Sequence, residues 1–210
     1  MTYTLYWNPG KASFAPHALL AESSLDYTLV NVDIDSGESH TAKYLAINPA
    51  GYVPALKLPD GSIMYEAAAI MLYLADHHEL REMAPAAGDS DRALFLRSLF
   101  YLTNTVQDSC KAYYYAHRYS TDEADAARIK DRAVQNLDER WKVVEDHLAA
   151  NGPYHLGERY SLVDIYMTML ADWYPGNSEE FFARNPSVKR CSDLVTARPV
   201  IIEVMKIDND

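Results

Sequence analysis

The stretch NPAGYVPALKLPDGSIMYE, residues 48–66, decides the fold of the first part of the chain. After the break at its NPAG start, the run over residues 53–58 predicts a strand. A Pro-Asp-Gly turn at residues 59–61 leads into a second run, residues 62–65. The two runs predict a β-hairpin, and Glu66 then opens a helix with the sequence AAAIMLYLADHH.

Two more strands and two helices are predicted before this hairpin. Residues 3–7 are aromatic and aliphatic and stop at an Asn-Pro-Gly turn, which favours a strand. Ser13 follows as the expected N-cap of a helix. The alternation over residues 28–34 indicates a second strand, and residues 41–47 a short helix. The predicted order is βαβαββα, a small α/β unit.

Helical patterns dominate the rest of the chain. The Pro- and Gly-containing residues 79–90 predict a linker. One long helix is expected over residues 92–118 and a second over residues 122–150, where apolar residues recur at three- and four-residue steps. Ser161 followed by Asp164 fits an acidic capping box that begins a buried helix.

The charge balance argues against nucleic acid or an anionic membrane as a partner. The 210 residues carry 19 Lys and Arg against 30 Asp and Glu, a net charge of −11. The first 80 residues hold three lysines and no arginine. An anionic ligand of this segment therefore has to depend on few cations and on backbone donors.

The two cysteines, Cys110 and Cys191, show no metal-ligand spacing, so neither a disulfide scaffold nor a zinc site is expected. The chain has no apolar run of about 18 residues, and its start, MTYTLYWNPG, is unlike a secretory leader. We expect a cytoplasmic protein without a metal cofactor.

Three segments resemble the cytosolic glutathione S-transferases in order and spacing. Residues 5–17, LYWNPGKASFAPH, are similar to the start of bacterial members. Residues 44–56, YLAINPAGYVPAL, resemble the family's cis-proline loop, and residues 65–74, YEAAAIMLYL, its third helix. The resemblance implies a thioredoxin-like glutathione-binding domain at residues 1–80, an all-helical domain at residues 88–210 that carries an electrophile site, and a homodimer.

A glutathione site is implied around the hairpin. A cis bond at Val53-Pro54, rather than an ordinary trans proline, lets the Val53 backbone pair with an extended peptide as an added strand does. By resemblance the loop residue Tyr52 belongs to this site. Glu66 and the backbone N–H of Ala67 are expected to hold the γ-glutamyl group, although most members have Ser or Thr where this chain has Ala67.

Two further positions in the site stay open. Lys43 and His40 precede or begin the second helix, where family members often place a cation near the glycine carboxylate of glutathione. A solvated Lys43 without a ligand role is the alternative. Glu66 also has an alternative role, the plain stabilisation of a helix N-terminus.

The resemblance implies that residues around the turn between the first strand and the first helix activate the glutathione thiol. The bacterial members that this start resembles have cysteine at the position of Ala12, so mixed-disulfide chemistry through that residue is excluded here. Ser13 is the first candidate to donate to the thiolate, and its alternative is a pure N-cap role. Tyr6, on the first strand, is the second candidate, and His17 is expected to be structural.

The electrophile is expected to contact Phe14 and the long helix at Tyr101, Asn104 and Gln107. Aromatic side chains on this helix suit a flat apolar substrate, although tyrosines that pack on neighbouring helices are the alternative. The predicted function is glutathione conjugation to an aromatic electrophile in detoxification. The alternatives are a glutathione-dependent peroxidase, dehalogenase, etherase or isomerase, and a non-catalytic ligand-binding or regulatory member.

Overall fold

The computed structural model describes residues 2–209, which form two compact units. The first unit contains the chain up to Ala84 and the segment that begins at Thr196, and the second unit is Pro85–Val195. Among the helices of residues 2–209, none has the length and apolar character needed to cross a membrane.

The first unit is a thioredoxin-like domain with a four-stranded mixed sheet. Its elements are β1 (Tyr3–Trp7), α1 (Phe14–Glu22), β2 (Tyr27–Asn31), α2 (Ala42–Leu45), β3 (Ala55–Lys57), β4 (Ile63–Tyr65) and α3 (Ala67–His77). The strand order is β2-β1-β3-β4, with β1 parallel to β2 and antiparallel to β3. The predicted order βαβαββα and the hairpin of β3 and β4 are confirmed.

The second strand is shorter than its alternating sequence predicts. β2 ends at Asn31 instead of residue 34. The Asp33 carboxylate accepts the backbone N–H of Ser36 at 3.0 Å, and the backbone N–H of Gly37 donates to the Ile34 carbonyl. This local turn takes the backbone groups that a longer strand would use.

The second unit is all helical. Its elements are α4 (Arg92–Tyr101), a π-helical segment (Leu102–Val106), α5 (Gln107–Tyr114), α6 (Ala126–Asn151), α7 (Leu162–Asp172), α8 (Ser178–Arg184) and α9 (Pro186–Thr196). The prediction of one uniform helix over residues 92–118 is wrong, because the π-helical segment interrupts it and α5 ends at Tyr114. The predicted helix over residues 122–150 is α6, which begins at Ala126 after a short 3-10 turn.

The predicted capping box begins α7, which is buried from Leu162 to Ala171. The Asp164 carboxylate accepts the backbone N–H of Ser161 at 2.8 Å and the Ser161 hydroxyl at 3.0 Å. It also accepts two N–H groups of His155 and the thiol of Cys191. These donors satisfy the buried carboxylate, so the network ties the loop before α7 and helix α9 to one side chain in the core.

The C-terminal helix α10 (Pro199–Asn209) packs against α1 in the first unit. Arg198, just before α10, donates two hydrogen bonds of 2.7 and 2.8 Å to the Glu22 carboxylate at the end of α1. This bidentate pair has the geometry in which arginine and carboxylate interact best. The division of the chain therefore differs from the predicted limits, 1–80 and 88–210, chiefly at this helix.

Helix α1 is buried along most of its length and carries His17, which is fully buried. The His17 Nε2 lies 3.1 Å from the Tyr27 hydroxyl, and burial lowers the pKa of His17 to about 4. The ring is therefore neutral in the folded protein at pH 7, which agrees with the expected structural role.

We predict that His17 makes the fold sensitive to mild acid. Below pH 6.5 the unfolded chain binds a proton at His17 that the folded protein refuses until about pH 4. The free energy of unfolding should therefore fall by up to about 3 kcal/mol between pH 7 and pH 4 from this group alone. Urea unfolding of wild type and His17→Gln across this range measures it, and equal pH slopes for both proteins would contradict the prediction.

Candidate functional site

The peptide bond between Val53 and Pro54 is cis, as predicted. It lies two residues before β3, and the Val53 side chain packs in a cluster with Val32 and Tyr44. Within residues 2–209 neither the N–H nor the C=O of Val53 has a hydrogen-bond partner. Unpaired backbone groups beside a strand are what an extended peptide needs in order to add itself to a sheet.

Two buried side chains fix the backbone just before Val53. The Tyr44 hydroxyl donates to the Tyr52 carbonyl at 2.8 Å, and the Asn48 side-chain amide donates to the same oxygen at 2.7 Å. Burial raises the pKa of Tyr44 to about 12, so the hydroxyl keeps its proton at neutral pH. Gly51 has a positive φ of 71°, and a Cβ there would lie 2.6 Å from the His40 ring. This position therefore requires glycine.

The N-terminus of α3 presents free donors beside an exposed carboxylate. Glu66 is the N-cap residue, with φ 74° and ψ 109°, a conformation that costs a non-glycine residue of order 1–3 kcal/mol. Within the described chain its carboxylate has no ion-pair or hydrogen-bond partner. The backbone N–H groups of Ala67 and Ala68 likewise have no acceptor there. Helix N-termini of this kind bind carboxylates.

The remaining predicted site residues of this region are exposed. Lys43 lies on α2 without an ion pair in the part of the chain that the structure describes. Tyr52 is 47% exposed, and its ring makes an edge contact with His40. Tyr52, Val53, Pro54, Glu66 and Ala67 thus belong to two short segments of the first unit, one on each side of the hairpin.

The loop from β1 to α1 buries Ser13 instead of exposing it. The Ser13 hydroxyl donates to the Asn8 carbonyl at 3.0 Å and accepts the Asn8 N–H at 3.1 Å. It makes no hydrogen bond to the first turn of α1, so the prediction that this hydroxyl caps the helix is wrong. The backbone N–H and C=O of Asn8 compete with the first turn of α1 for this hydroxyl, because both groups are buried and need a partner.

Ala12 is the partly exposed residue next to Ser13. The backbone N–H groups of Ala12 and Ser13 have no acceptor within residues 2–209, and they stand at the positive end of the α1 dipole. Tyr6 packs against the cluster that contains Val53, at 6.1 Å between its ring centre and that of Tyr44. Its hydroxyl has no hydrogen-bond partner in the described chain.

The predicted electrophile residues fall in both units. Phe14 is buried at the start of α1 in the first unit. In the second unit Tyr101 donates to the Arg140 carbonyl at 3.2 Å, and the Gln107 side chain accepts the Tyr166 hydroxyl at 2.8 Å. Asn104 is exposed in the π-helical segment. These three helix residues lie on successive turns, but only Asn104 has an exposed polar end.

Several tyrosines after Gln107 have partners within the second unit. The Tyr114 hydroxyl donates to the Trp173 carbonyl at 2.9 Å, and Arg118 lies over the Tyr115 ring. Tyr119 donates to Asp108 at 3.3 Å. Packing on neighbouring elements therefore accounts for much of this aromatic content.

Sequence reasoning missed the residues that hold the loops. Tyr44 and Asn48 lie in the segment that resembles the cis-proline loop, but their residue types alone did not indicate that they donate to the Tyr52 carbonyl. The sequence indicated only a turn at Asn8. In the structure Asn8 is 9% exposed, and its side-chain amide also donates to Asn31 at 3.1 Å. A polar residue beside a strand that ends in a buried loop is the signal that points to such a role.

Family models match both parts of the chain. The model described as "Glutathione S-transferase, N-terminal domain" matches residues 13–77, and that described as "Glutathione S-transferase, C-terminal domain" matches residues 107–206. The chain is 30% identical over 177 residues to glutathione S-transferase GstA of Escherichia coli O157:H7, with 80% of this chain and 81% of the relative covered.

Two further comparisons cover nearly the whole chain. The uncharacterized GST-like protein YncG of Escherichia coli K12 is 29% identical over 204 residues, 96% of each chain. The crystal structure of a glutathione transferase homologue from Sulfitobacter with bound glutathione superposes with a TM-score of 0.90, at 28% identity over 98% of each chain.

We predict that Tyr44→Phe destabilises the first unit. Loss of the hydroxyl leaves the Tyr52 carbonyl with Asn48 as its remaining donor, at a cost of about 1 kcal/mol in the free energy of unfolding. Guanidinium unfolding measures it. Tyr65→Phe is the matched control, because Tyr65 is 42% exposed. Equal stability of the two variants would show that the hydroxyl contributes nothing.

Proposed function

The chain belongs to the glutathione S-transferase family, and we propose that it conjugates the thiolate of glutathione to an apolar, aromatic electrophile. The observation that carries the proposal is the pair of unpaired backbone groups of Val53 beside the cis bond to Pro54. The glutathione-bound Sulfitobacter structure, which superposes on 98% of this chain, supports glutathione as the ligand.

The cysteinyl part of glutathione pairs with the N–H and C=O of Val53, as a short antiparallel strand would. Its γ-glutamyl carboxylate accepts from the Ala67 N–H at the start of α3, and Glu66 binds the ammonium group. Lys43 contributes a cation for the glycine carboxylate, and Tyr52 flanks the peptide. This arrangement needs only one cation, which suits a segment of 80 residues with three lysines and no arginine.

The thiol is activated at the N-terminus of α1. A thiol with a pKa near 8.5 is mostly protonated at pH 7, so the site has to favour the anion. The free N–H groups of Ala12 and Ser13 supply donors, and the α1 dipole adds about 0.3–1 kcal/mol. We assign Ser13 a positioning role, because its hydroxyl proton is already given to the Asn8 carbonyl. Tyr6 remains the alternative side-chain donor.

In this proposal the electrophile contacts the helix residues Tyr101, Asn104 and Gln107 of the second unit. The active protein is a cytoplasmic homodimer without a metal cofactor. Both cysteines are free and buried, which suits a reducing compartment. Sedimentation of the purified protein measures the oligomeric state, with a dimer expected.

A glutathione-binding member without turnover is the second candidate. It is favoured by Ala12 and Ala67, which stand where family members often have functional side chains. Isothermal calorimetry with glutathione and turnover of a chloronitrobenzene separate the two. Binding with turnover is expected, binding without turnover supports the second candidate, and absence of binding overturns both.

We predict that Ala67→Ser tightens glutathione binding about three- to tenfold, because the new hydroxyl adds a donor to the γ-glutamyl carboxylate. Calorimetry measures the dissociation constant. Ala68→Ser is the matched control one residue further along α3 and should bind glutathione like wild type. The same affinity for Ala67→Ser and wild type would contradict the placement of the γ-glutamyl group.

We also predict that Ser13→Ala raises the pKa of the bound glutathione thiol by about one unit, since the loop that carries the N–H donors loses its tie to Asn8. The ultraviolet absorbance of the thiolate against pH measures it. Thermal unfolding in the same samples checks that the variant is folded. A larger rise in Tyr6→Phe than in Ser13→Ala would transfer the activating role to Tyr6.

A further inference from the structure

The π-helical segment carries the helix residues of the proposed electrophile site. Tyr101 is the last residue before it, Asn104 lies inside it, and Gln107 is the first residue after it. The Gln107 N–H donates to the Leu102 carbonyl five residues earlier, in place of the four-residue spacing of an α-helix. Because an α-helix turns by about 100° per residue, the added residue rotates the side chains on the two sides of the segment relative to each other by about that angle.

One arginine of α6 holds this segment from the side. The Arg140 guanidinium donates to the Thr105 carbonyl at 2.7 Å and to the hydroxyl of Ser109, which is 1% exposed. The Asp108 carboxylate lies 4.0 Å from the same Nη1 atom. A guanidinium is charged at every pH that a folded protein meets, and a hydrogen bond from a charged donor is about twice as strong as a neutral one. Arg140 therefore stabilises the backbone arrangement in which the Thr105 carbonyl points to α6.

The contacts of Arg140 lie on both sides of Asn104. Before it, the Tyr101 hydroxyl donates to the Arg140 carbonyl at 3.2 Å, and burial raises the pKa of Tyr101 while the Arg140 charge opposes that rise. Asn104 itself is exposed. Its side-chain oxygen accepts the Thr103 hydroxyl at 3.2 Å, and its amide N–H groups have no acceptor within residues 2–209. Asn104 thus offers two free donors at the centre of a turn that Arg140 fixes.

We propose that Arg140 is a positioning residue for the electrophile: it holds the π turn so that the Asn104 amide donates to an oxygen substituent of the aromatic ring, such as a nitro or carbonyl group. This assignment rests on the proposed function, in which the electrophile contacts this helix. Without the guanidinium the Thr105 carbonyl loses its charged donor, and the turn moves relative to Gln107, which Tyr166 holds by a hydrogen bond of 2.8 Å. Arg140 acts on the electrophile through the backbone and leaves the glutathione residues of the first unit unchanged.

Calorimetry on the full chain tests the proposal with two probes, glutathione and its conjugate S-(2,4-dinitrophenyl)glutathione. Wild type should bind the conjugate more tightly than glutathione. Arg140→Met should weaken the conjugate about five- to tenfold and leave glutathione unchanged. Arg140→Lys keeps one charged donor and should recover part of the loss. Asn104→Ala should weaken the conjugate to a similar degree, and the double variant Arg140→Met with Asn104→Ala should lose little more than either single variant.

Arg132→Met is the matched control, because Arg132 is exposed on the same helix and donates to Gln135 at 3.2 Å. It should bind both probes like wild type. Amide hydrogen exchange over residues 101–109 of the unliganded protein measures the hold on the turn itself. Exchange should be faster in Arg140→Met and unchanged in Arg132→Met.

Three results would overturn the proposal: equal conjugate affinity in Arg140→Met and wild type, the same fold loss for glutathione as for the conjugate, or unchanged hydrogen exchange over residues 101–109 in Arg140→Met. A wild-type protein that binds neither probe would instead overturn the proposed function. The hydrogen-exchange comparison would then still decide whether Arg140 holds the π turn.

Discussion

The carbonyl oxygen of Tyr52 is the point on which the first unit's candidate site depends. Tyr44 and Asn48 are both buried, and both donate to this oxygen. The neighbouring Gly51 occupies a backbone conformation and a space that no other residue fits without strain. Together these constraints fix the path of the chain into Val53 and Pro54, so that the free backbone groups of Val53 are set by the core and not by a flexible loop.

A second constraint is electrostatic. The chain carries a net charge of −11, and its first 80 residues hold few cations. Anionic groups of a ligand are therefore best held by unpaired N–H groups at helix N-termini, which carry no net charge and need no counterion. The starts of α1 and α3 both offer such groups. The two hydrogen bonds between Ser13 and Asn8 hold the start of α1 in place.

Local patterns in the sequence predicted the hairpin, the cis bond before Pro54 and the capping box at Ser161, because each has a short signature with one dominant physical cause. The π-helical segment could not be predicted in the same way. One extra residue in a turn shifts the apolar face only slightly, and the Arg140 guanidinium that donates to the Thr105 carbonyl there comes from a distant helix.

Long-range partners explain the other differences. Ser13 follows the N-cap pattern, but the buried backbone of Asn8 takes its hydroxyl. The last helix belongs to the first unit, where it packs against α1 and where Arg198 pairs with Glu22, 176 residues earlier in the chain. Residue types near one position do not reveal such pairings. The catalytic and binding roles of Ser13, Tyr6, Lys43, Phe14 and the helix residues stay predictions.

A crystal structure of the protein with glutathione tests the central claim most directly. We predict that the cysteinyl backbone of glutathione pairs with the N–H and C=O of Val53 and that the γ-glutamyl carboxylate accepts from the Ala67 N–H. We also predict that the sulfur lies within about 3.5 Å of the Ala12 nitrogen, close enough to accept a hydrogen bond from the Ala12 N–H. Glutathione bound away from Val53, or a sulfur that no group at the start of α1 contacts, would contradict the account.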